Sequence, residues 1–490
     1  MCSQFPPLTT QFAREFPGLV RECAPDIPTD TRVAAVNAPL ARELGSDPGE
    51  ETVAVEGLVR NLANATSAHA MAYSGHQFGT FSPVLGDGRA HLVGELTMGD
   101  ALVDVHLKGS GRTPFSRPGS DGKAPLSAMY REYLISEALH ALGIPTSRTL
   151  AVLETGERIR RRAPEPEPAG ILVRTAASHV RVGTFQFARI ASDQGVIEPD
   201  TRERLVRSTL ERHYPAWDEG PDASTAPALA LLRGVASRQA QLVAQWMGVG
   251  FVHGVLNTDN VSVAGESIDF GPCAFLDRYE SGACFSSIDT GGRYAYGQQG
   301  AIMQWNMARF AESLLDLLDP DPETAIEQAS TVLREFEQEY RAAFTRVFAS
   351  KLGIGSDPEA GVEQFIARTL DALEREEQDF TLFFRALTEN ADLEGEFARG
   401  SAWHAELEEH RARASTSPEH AATLMRETNP IYIPRNHHVE KALRDIERGD
   451  AATFERLLAA IRNPFTRVDG LDDLESPPPN AHFFTSFCGT

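Results

Sequence analysis

The sequence predicts an α+β protein in two parts, a sheet-rich N-terminal lobe followed by a helical C-terminal lobe. Three observations carry this reading. Short β-rich runs separated by turn residues occupy about residues 80 to 185, long helical patterns dominate from about 200 onward, and the two kinds of segment do not alternate as βαβ units would. At 490 residues, with 42% hydrophobic and 8% aromatic residues, the chain has a globular composition and room for roughly two to four domains. The expected division is 1–185, 186–475 and a tail, 476–490.

Taken in order, Gly88 to Leu96 and Ala101 to Lys108 alternate around the turn Thr97-Met98-Gly99-Asp100 and read as a β-hairpin ending on Lys108. Gly109 to Pro125 holds too many Gly, Pro and Ser residues for regular structure. A helix follows over Leu126 to Leu142, closed by Gly143 and Pro145 and carrying Glu132 and Glu137. A second hairpin is expected over Thr149 to Thr175, around the charged, proline-rich loop Arg160 to Pro168. Helices are expected at Thr201 to Tyr214, Ala226 to Met247, Ile302 to Leu318 and Thr324 to Phe348. Ser476-Pro477-Pro478-Pro479-Asn480 sets off an apolar tail containing Phe483, Phe484 and Phe487, which is expected to dock back on the protein.

The net charge of −23 argues against a nucleic-acid or membrane-surface partner, because anionic surfaces repel one another. No run of about 18 apolar residues occurs and the N-terminus shows no secretory pattern, so the chain reads as cytoplasmic. Only four residues are Lys (Lys108, Lys123, Lys351 and Lys441), which makes a Lys inside a motif informative. Five widely spaced cysteines without a Cys-x-x-Cys disfavour zinc ligation and a structural disulfide framework.

Leu85-Gly86-Asp87-Gly88-Arg89 supplies a Gly-rich turn, Lys108 ends the next hairpin, and Glu132 lies in the following helix. This order is the one in which kinase-like folds hold ATP, with loop amides near the phosphates and a Lys, positioned by Glu, neutralising phosphate charge. Further on, His253-Gly254-Val255-Leu256-Asn257-Thr258-Asp259-Asn260 precedes Asp269-Phe270-Gly271. In the kinase template the Asn and the second Asp bind metal ions, and an Asp two residues after the His takes the substrate proton. That position is Val255 here, so the metal half is present and the usual base is absent. Each motif alone suits an ordinary turn as well; their joint order points to nucleotide binding.

These residues resemble one family, selenoprotein O and its bacterial relatives, which are kinase-like proteins with this pseudokinase change. The resemblance spans most of the chain. It includes Tyr73 to Gly79, Leu85 to Arg89, Leu107 to Arg117, Arg131 to Leu134, Ser178 to Phe185, His253 to Asn260, Asp269 to Pro272 and Gly292 to Gly297. It implies a protein-kinase-like bilobal fold and an enzyme that transfers AMP from ATP to Ser, Thr or Tyr hydroxyls of proteins, with redox proteins among the implied targets and a monomer favoured. By resemblance Gly86, Gly88 and Arg89 line the nucleotide, Lys108 paired with Glu132 binds phosphate, and Arg174 and Arg181 contact the nucleotide. Asn260 and Asp269 hold Mg2+ or Mn2+, Asp269 also meets the nucleotide, and Asp259 is the proton acceptor. Asp121 and Gly122 carry over too, from a loop one residue longer than the family's. The resemblance further implies that Cys488, third from the end, pairs reversibly with Cys284; two free thiols are the alternative. A kinase-like phosphotransferase and a non-catalytic nucleotide-binding scaffold stay open as other readings.

Overall fold

The computed structural model of the chain describes residues 5–63, 68–99, 101–161, 165–218, 226–355, 361–477 and 484. Among the described residues an antiparallel sheet organises the N-terminal half. Across it lie Val20–Cys23, Ala68–Met71, Ala90–Met98, Ala101–Lys108, Glu167–Ala176, Arg148–Ile159 and Arg32–Val36, with Ala124–Pro125 pairing onto Glu167–Ala176. Both expected hairpins form, as Ala90–Met98 with Ala101–Lys108 and Arg148–Ile159 with Glu167–Ala176. The outer strands were not expected from the sequence. They are four or five residues long, and Val20–Cys23 pairs with a segment some fifty residues on, Val20 standing opposite Met71.

Period-two alternation gives the sheet two chemically different faces. Val105 and Leu107 join Ile171, Val173, Leu150 and Leu153 in a core covered by the helices Ala38–Glu43 and Glu51–Ala63. Asp104, His106 and Lys108 face the other way. On that side lies the helix Leu126–Ala141, placed as expected, whose Leu126, Tyr130, Tyr133 and Leu134 pack with Val152 and Leu172.

From Val182 onward the described residues are mainly helical. Pro227–Val249, Gln299–Glu312 and Pro322–Lys351 pack together around the largest core, which contains Leu231, Trp246, Phe310 and Phe336. The pattern read as one helix over Ile302 to Leu318 is broken into Gln299–Glu312 and Leu315–Leu318. The chain then returns to its beginning. Asn436–Glu447 and Ala452–Ile461 cover the outer side of Leu126–Ala141, with Val439, Leu443, Phe454 and Leu457 in the same core as Tyr130 and Tyr133. No helix among the described residues is long and apolar enough to cross a membrane.

Candidate functional site

Lys108 ends its strand at the sheet's polar face and is buried. Its Nζ donates to Glu132 Oε1, on the second turn of the Leu126–Ala141 helix, and to Asp269 Oδ1 at 2.7 Å. Antiparallel register puts Leu172 opposite Lys108 and Arg174 opposite His106, so Arg174 shares that face. Arg174 Nη1 donates to Asp269 Oδ1 at 2.7 Å, and Arg181 Nη1 donates to Asp269 Oδ2 at 2.5 Å. Three cations therefore meet one carboxylate. Burial alone would raise the pKa of Asp269; Lys108, Arg181 and Arg174 override it and hold the carboxyl well below the usual range.

Asp269 has φ +66°, a left-handed conformation that costs a non-glycine residue about 1–3 kcal/mol. Its neighbours over-determine that geometry. Ile268 and Phe270 are buried in the core, and the Ile268 carbonyl accepts from His253 Nε2 at 2.9 Å. His253 thus ties the segment ending at Asn260 to the one holding Asp269. A short backbone ladder does the same for Arg181: Val182 donates to the Val261 carbonyl and Val263 to the Val180 carbonyl. Arg181 Nη1 also reaches the Asp259 carbonyl at 2.6 Å, and its guanidinium lies 4.7 Å from the Tyr73 ring centroid.

Asp259 is buried beside this cluster. Burial pushes its carboxyl up to about 6 against the pull of Arg181. Gly75 lies against it, close enough that a Cβ there would fall 2.3 Å from Oδ1. Asn260 spends Nδ2 on the Val255 carbonyl at 2.8 Å, which leaves its amide oxygen as a donor atom for a cation. Among the described residues Glu132 Oε2, Arg181 Nε and Asp259 Oδ1 are buried without a hydrogen-bond partner. Each belongs to a side chain within or beside the Asp269 cluster.

The Gly-rich turn is braced from beneath. Leu85 and Gly86 donate their amides to the Tyr73 carbonyl and Asp87 donates to that of Met71, so three loop amides are used internally. Gly86, at φ +66°, sits on the Phe115 ring, and Thr113 and Ser116 hydroxyls donate to the Asp87 and Gly88 carbonyls at 2.5 and 2.6 Å. The Arg89 carbonyl accepts from Gly109. Asp121 lies apart from the Asp269 cluster in its bonding: its carboxylate is exposed and held by Arg161 at 2.7 Å. Gly122, at φ +70°, packs on the backbone of Gly111 and Arg112.

Sequence reasoning gave no role to His106 and His179, which accept from Arg174, or to Asp87, which bonds His106. The signal that finds His106 is the alternation Asp104-Val105-His106-Leu107-Lys108, which puts three polar side chains on one face. Of the cysteine pair, Cys284 donates its thiol to Asp289 Oδ2 at 3.3 Å, while Cys488 falls outside the described residues, as do Phe483 and Phe487.

The described residues hold no group of three or more His, Cys, Asp or Glu set to bind a metal. What converges here is a set of three buried cations on one carboxylate. Comparison with known proteins supplies the class. Residues 20–462 match the family model described as protein adenylyltransferase SelO, and the chain belongs to the SelO family. It is 47% identical over 470 residues to a protein nucleotidyltransferase YdiU of Cereibacter sphaeroides strain ATCC 17029, covering 94% of each chain. It is 44% identical to one of Pseudarthrobacter chlorophenolicus, covering 98% of this chain and 97% of that one, and 45% identical to one of Mycobacterium sp. strain KMS, covering 99% of both.

Proposed function

We propose that this chain transfers AMP from ATP to Ser, Thr or Tyr hydroxyls of other proteins in the cytoplasm, in a reaction dependent on Mg2+ or Mn2+. We read its architecture as a protein-kinase-like pair of lobes, 1–185 and 186–475. The observation that carries the reading is the convergence of Lys108, Arg174 and Arg181 on Asp269, with orphaned polar atoms among them.

Attack of a hydroxyl oxygen on the α-phosphorus forms a phosphoester bond and breaks the bond to pyrophosphate, which leaves with the added negative charge. Lys108, Arg174 and Arg181 are fixed before reaction and stabilise that charge from buried positions. Glu132 keeps the Lys108 ammonium aimed inward. Gly86, Gly88 and Arg89 would border the nucleotide, and Asp121 and Gly122 the loop beside it. Asn260 and Asp269 present two oxygen ligands, which fit a hard cation that takes its remaining ligands from phosphate and water. Such an ion supplies Lewis-acid neutralisation of phosphate charge. Asp259 accepts the hydroxyl proton: its carboxylate is buried, unpaired at Oδ1 and raised towards neutrality, as a general base requires. Val255 cannot fill that role.

The reading extends to redox control, with Cys284 and Cys488 forming a reversible disulfide. The Phe484 ring lies 6.0 Å from that of Phe285, the residue that follows Cys284 in the chain. Burial and Asp289 push the Cys284 thiol up to about 11.

The test is intact-mass and peptide-mapping spectrometry of acceptor proteins, redox proteins included, after incubation with the reduced chain, ATP and Mg2+ or Mn2+. Adenylyl addition to hydroxyl side chains supports the proposal. Phosphoryl addition would make the chain a kinase, and bound ATP without either product would make it a scaffold.

A further inference from the structure

Arg174 is almost wholly buried, and hydrogen bonds hold three sides of its guanidinium. Nε donates to His179 Nε2 at 3.1 Å, Nη2 to His106 Nδ1 at 3.0 Å, and Nη1 to Asp269 Oδ1 at 2.7 Å. The two imidazoles stack with centroids 4.2 Å apart. A guanidinium has only donors, so both ring nitrogens facing it must accept, and each ring must be neutral with its proton on the far nitrogen. Both far nitrogens meet a carboxylate: His106 Nε2 lies 3.0 Å from Asp87 Oδ2, and His179 Nδ1 lies 3.3 Å from Asp104 Oδ2. The carboxylates are anchored in turn. Met71 N donates to Asp87 at 3.0 Å, while Arg212 and the His179 amide hold Asp104 at 2.7 and 2.8 Å. Burial lowers the pKa of both imidazoles, that of His179 to about 3, in keeping with the neutral forms.

We propose that His106 and His179, braced by Asp87 and Asp104, are positioning residues that fix Arg174 on two edges, so that only its Nη1 edge exchanges Asp269 for a nucleotide phosphate. The proposal rests on the phosphate-binding reading of Arg174 given above. An arginine ordered in advance loses little freedom when the phosphate arrives, and its fork stays aimed at one place. Neither imidazole needs to touch the nucleotide.

The substitutions that separate this role from simple packing differ by one atom's position. His106→Asn keeps an acceptor near the Nδ1 position and drops the bond to Asp87; His106→Gln keeps a donor towards Asp87 and drops the acceptor. His179→Gln keeps the acceptor for Arg174, and His179→Leu removes it. Affinity of the full chain for a non-hydrolysable ATP analogue with Mg2+ is measured by calorimetry, alongside the unfolding temperature. Loss of a hydrogen bond to a charged group predicts roughly tenfold or weaker binding for His106→Gln and His179→Leu. His106→Asn and His179→Gln should stay near the parent. Affinities that follow the unfolding temperature, regardless of which acceptor is kept, would overturn the proposal. Arg174→Met is the separate control: unchanged affinity there would overturn the reading of Arg174 itself, whereas lost affinity there with unchanged His106→Gln and His179→Leu would overturn only the positioning role.

Discussion

Asp259 and Lys351 are both buried against their charge, and they call for different experiments. For Asp259, removing the base while keeping its shape should slow transfer and spare binding. Asp259→Asn is expected to lower kcat by roughly 100-fold or more with nucleotide affinity unchanged, read from single-turnover transfer and calorimetry. A wild-type rate would remove the base assignment. Lys351 is only 1% exposed, its ammonium lying 4.2 Å from the Phe384 ring centroid and 5.2 Å from that of Phe380. Burial pushes it down from 10.5 to about 7. As pH falls below the unfolded value, the unfolded chain takes up a proton that the folded chain resists, so stability drops between about pH 10 and 7 and levels off below. Lys351→Met should therefore raise the unfolding temperature, with a larger gain at pH 6.5 than at pH 10. Equal gains would mean that the ammonium is solvated. At this scale the meeting of Lys108, Glu132 and Asp269 was legible in the sequence because motif spacing fixes them. Asp87, His106 and His179 lay inside the same strings without a recognised role, since their work is to hold another side chain.

Among the elements, the ribbon Gly75–Gln77 with Thr80–Ser82 is the one that sets Gly75 against the Asp259 carboxylate. His76 N donates to Thr258 Oγ1 at 2.8 Å and Phe78 N to Asn257 Oδ1 at 3.1 Å, which seats the ribbon on the Asp259 segment. A methyl group on Gly75 would displace the carboxylate. Gly75→Ala is accordingly expected to reduce transfer about as much as Asp259→Asn while leaving nucleotide affinity near the parent; parent-like transfer would show that the carboxylate tolerates displacement. The central hairpins and the Leu126–Ala141 helix could be read from the sequence because their pairing or periodicity is local. The outer strands could not: in Val20-Arg21-Glu22-Cys23 the polar residues leave no clear alternation, and the partner strand is remote in sequence.

Across the whole molecule, the return of the C-terminal helices onto Leu126–Ala141 is the feature that no local pattern announces. Arg131 pairs with Glu440, and Arg462 reaches the Tyr133 hydroxyl at 3.1 Å and Glu137 at 3.2 Å. Phe454 packs edge-on to Tyr130 with centroids 4.7 Å apart. This docking holds the helix that carries Glu132, and so bears on the Lys108 pair. Phe454→Ala should cost about 3–5 kcal/mol in unfolding free energy by denaturant titration. A cost below about 1 kcal/mol would mean that this packing does not brace the Glu132 helix.

The central claim is AMP transfer through the Asp269 cluster, and labelled ATP tests it most directly. The reduced chain is incubated with Mg2+ or Mn2+ and ATP labelled in turn at the α and γ phosphate, then resolved on a denaturing gel beside Asp269→Ala. Protein-bound α label that the variant loses, with no γ label in either, is the predicted result. Protein-bound γ label, or α label that survives Asp269→Ala, would contradict it.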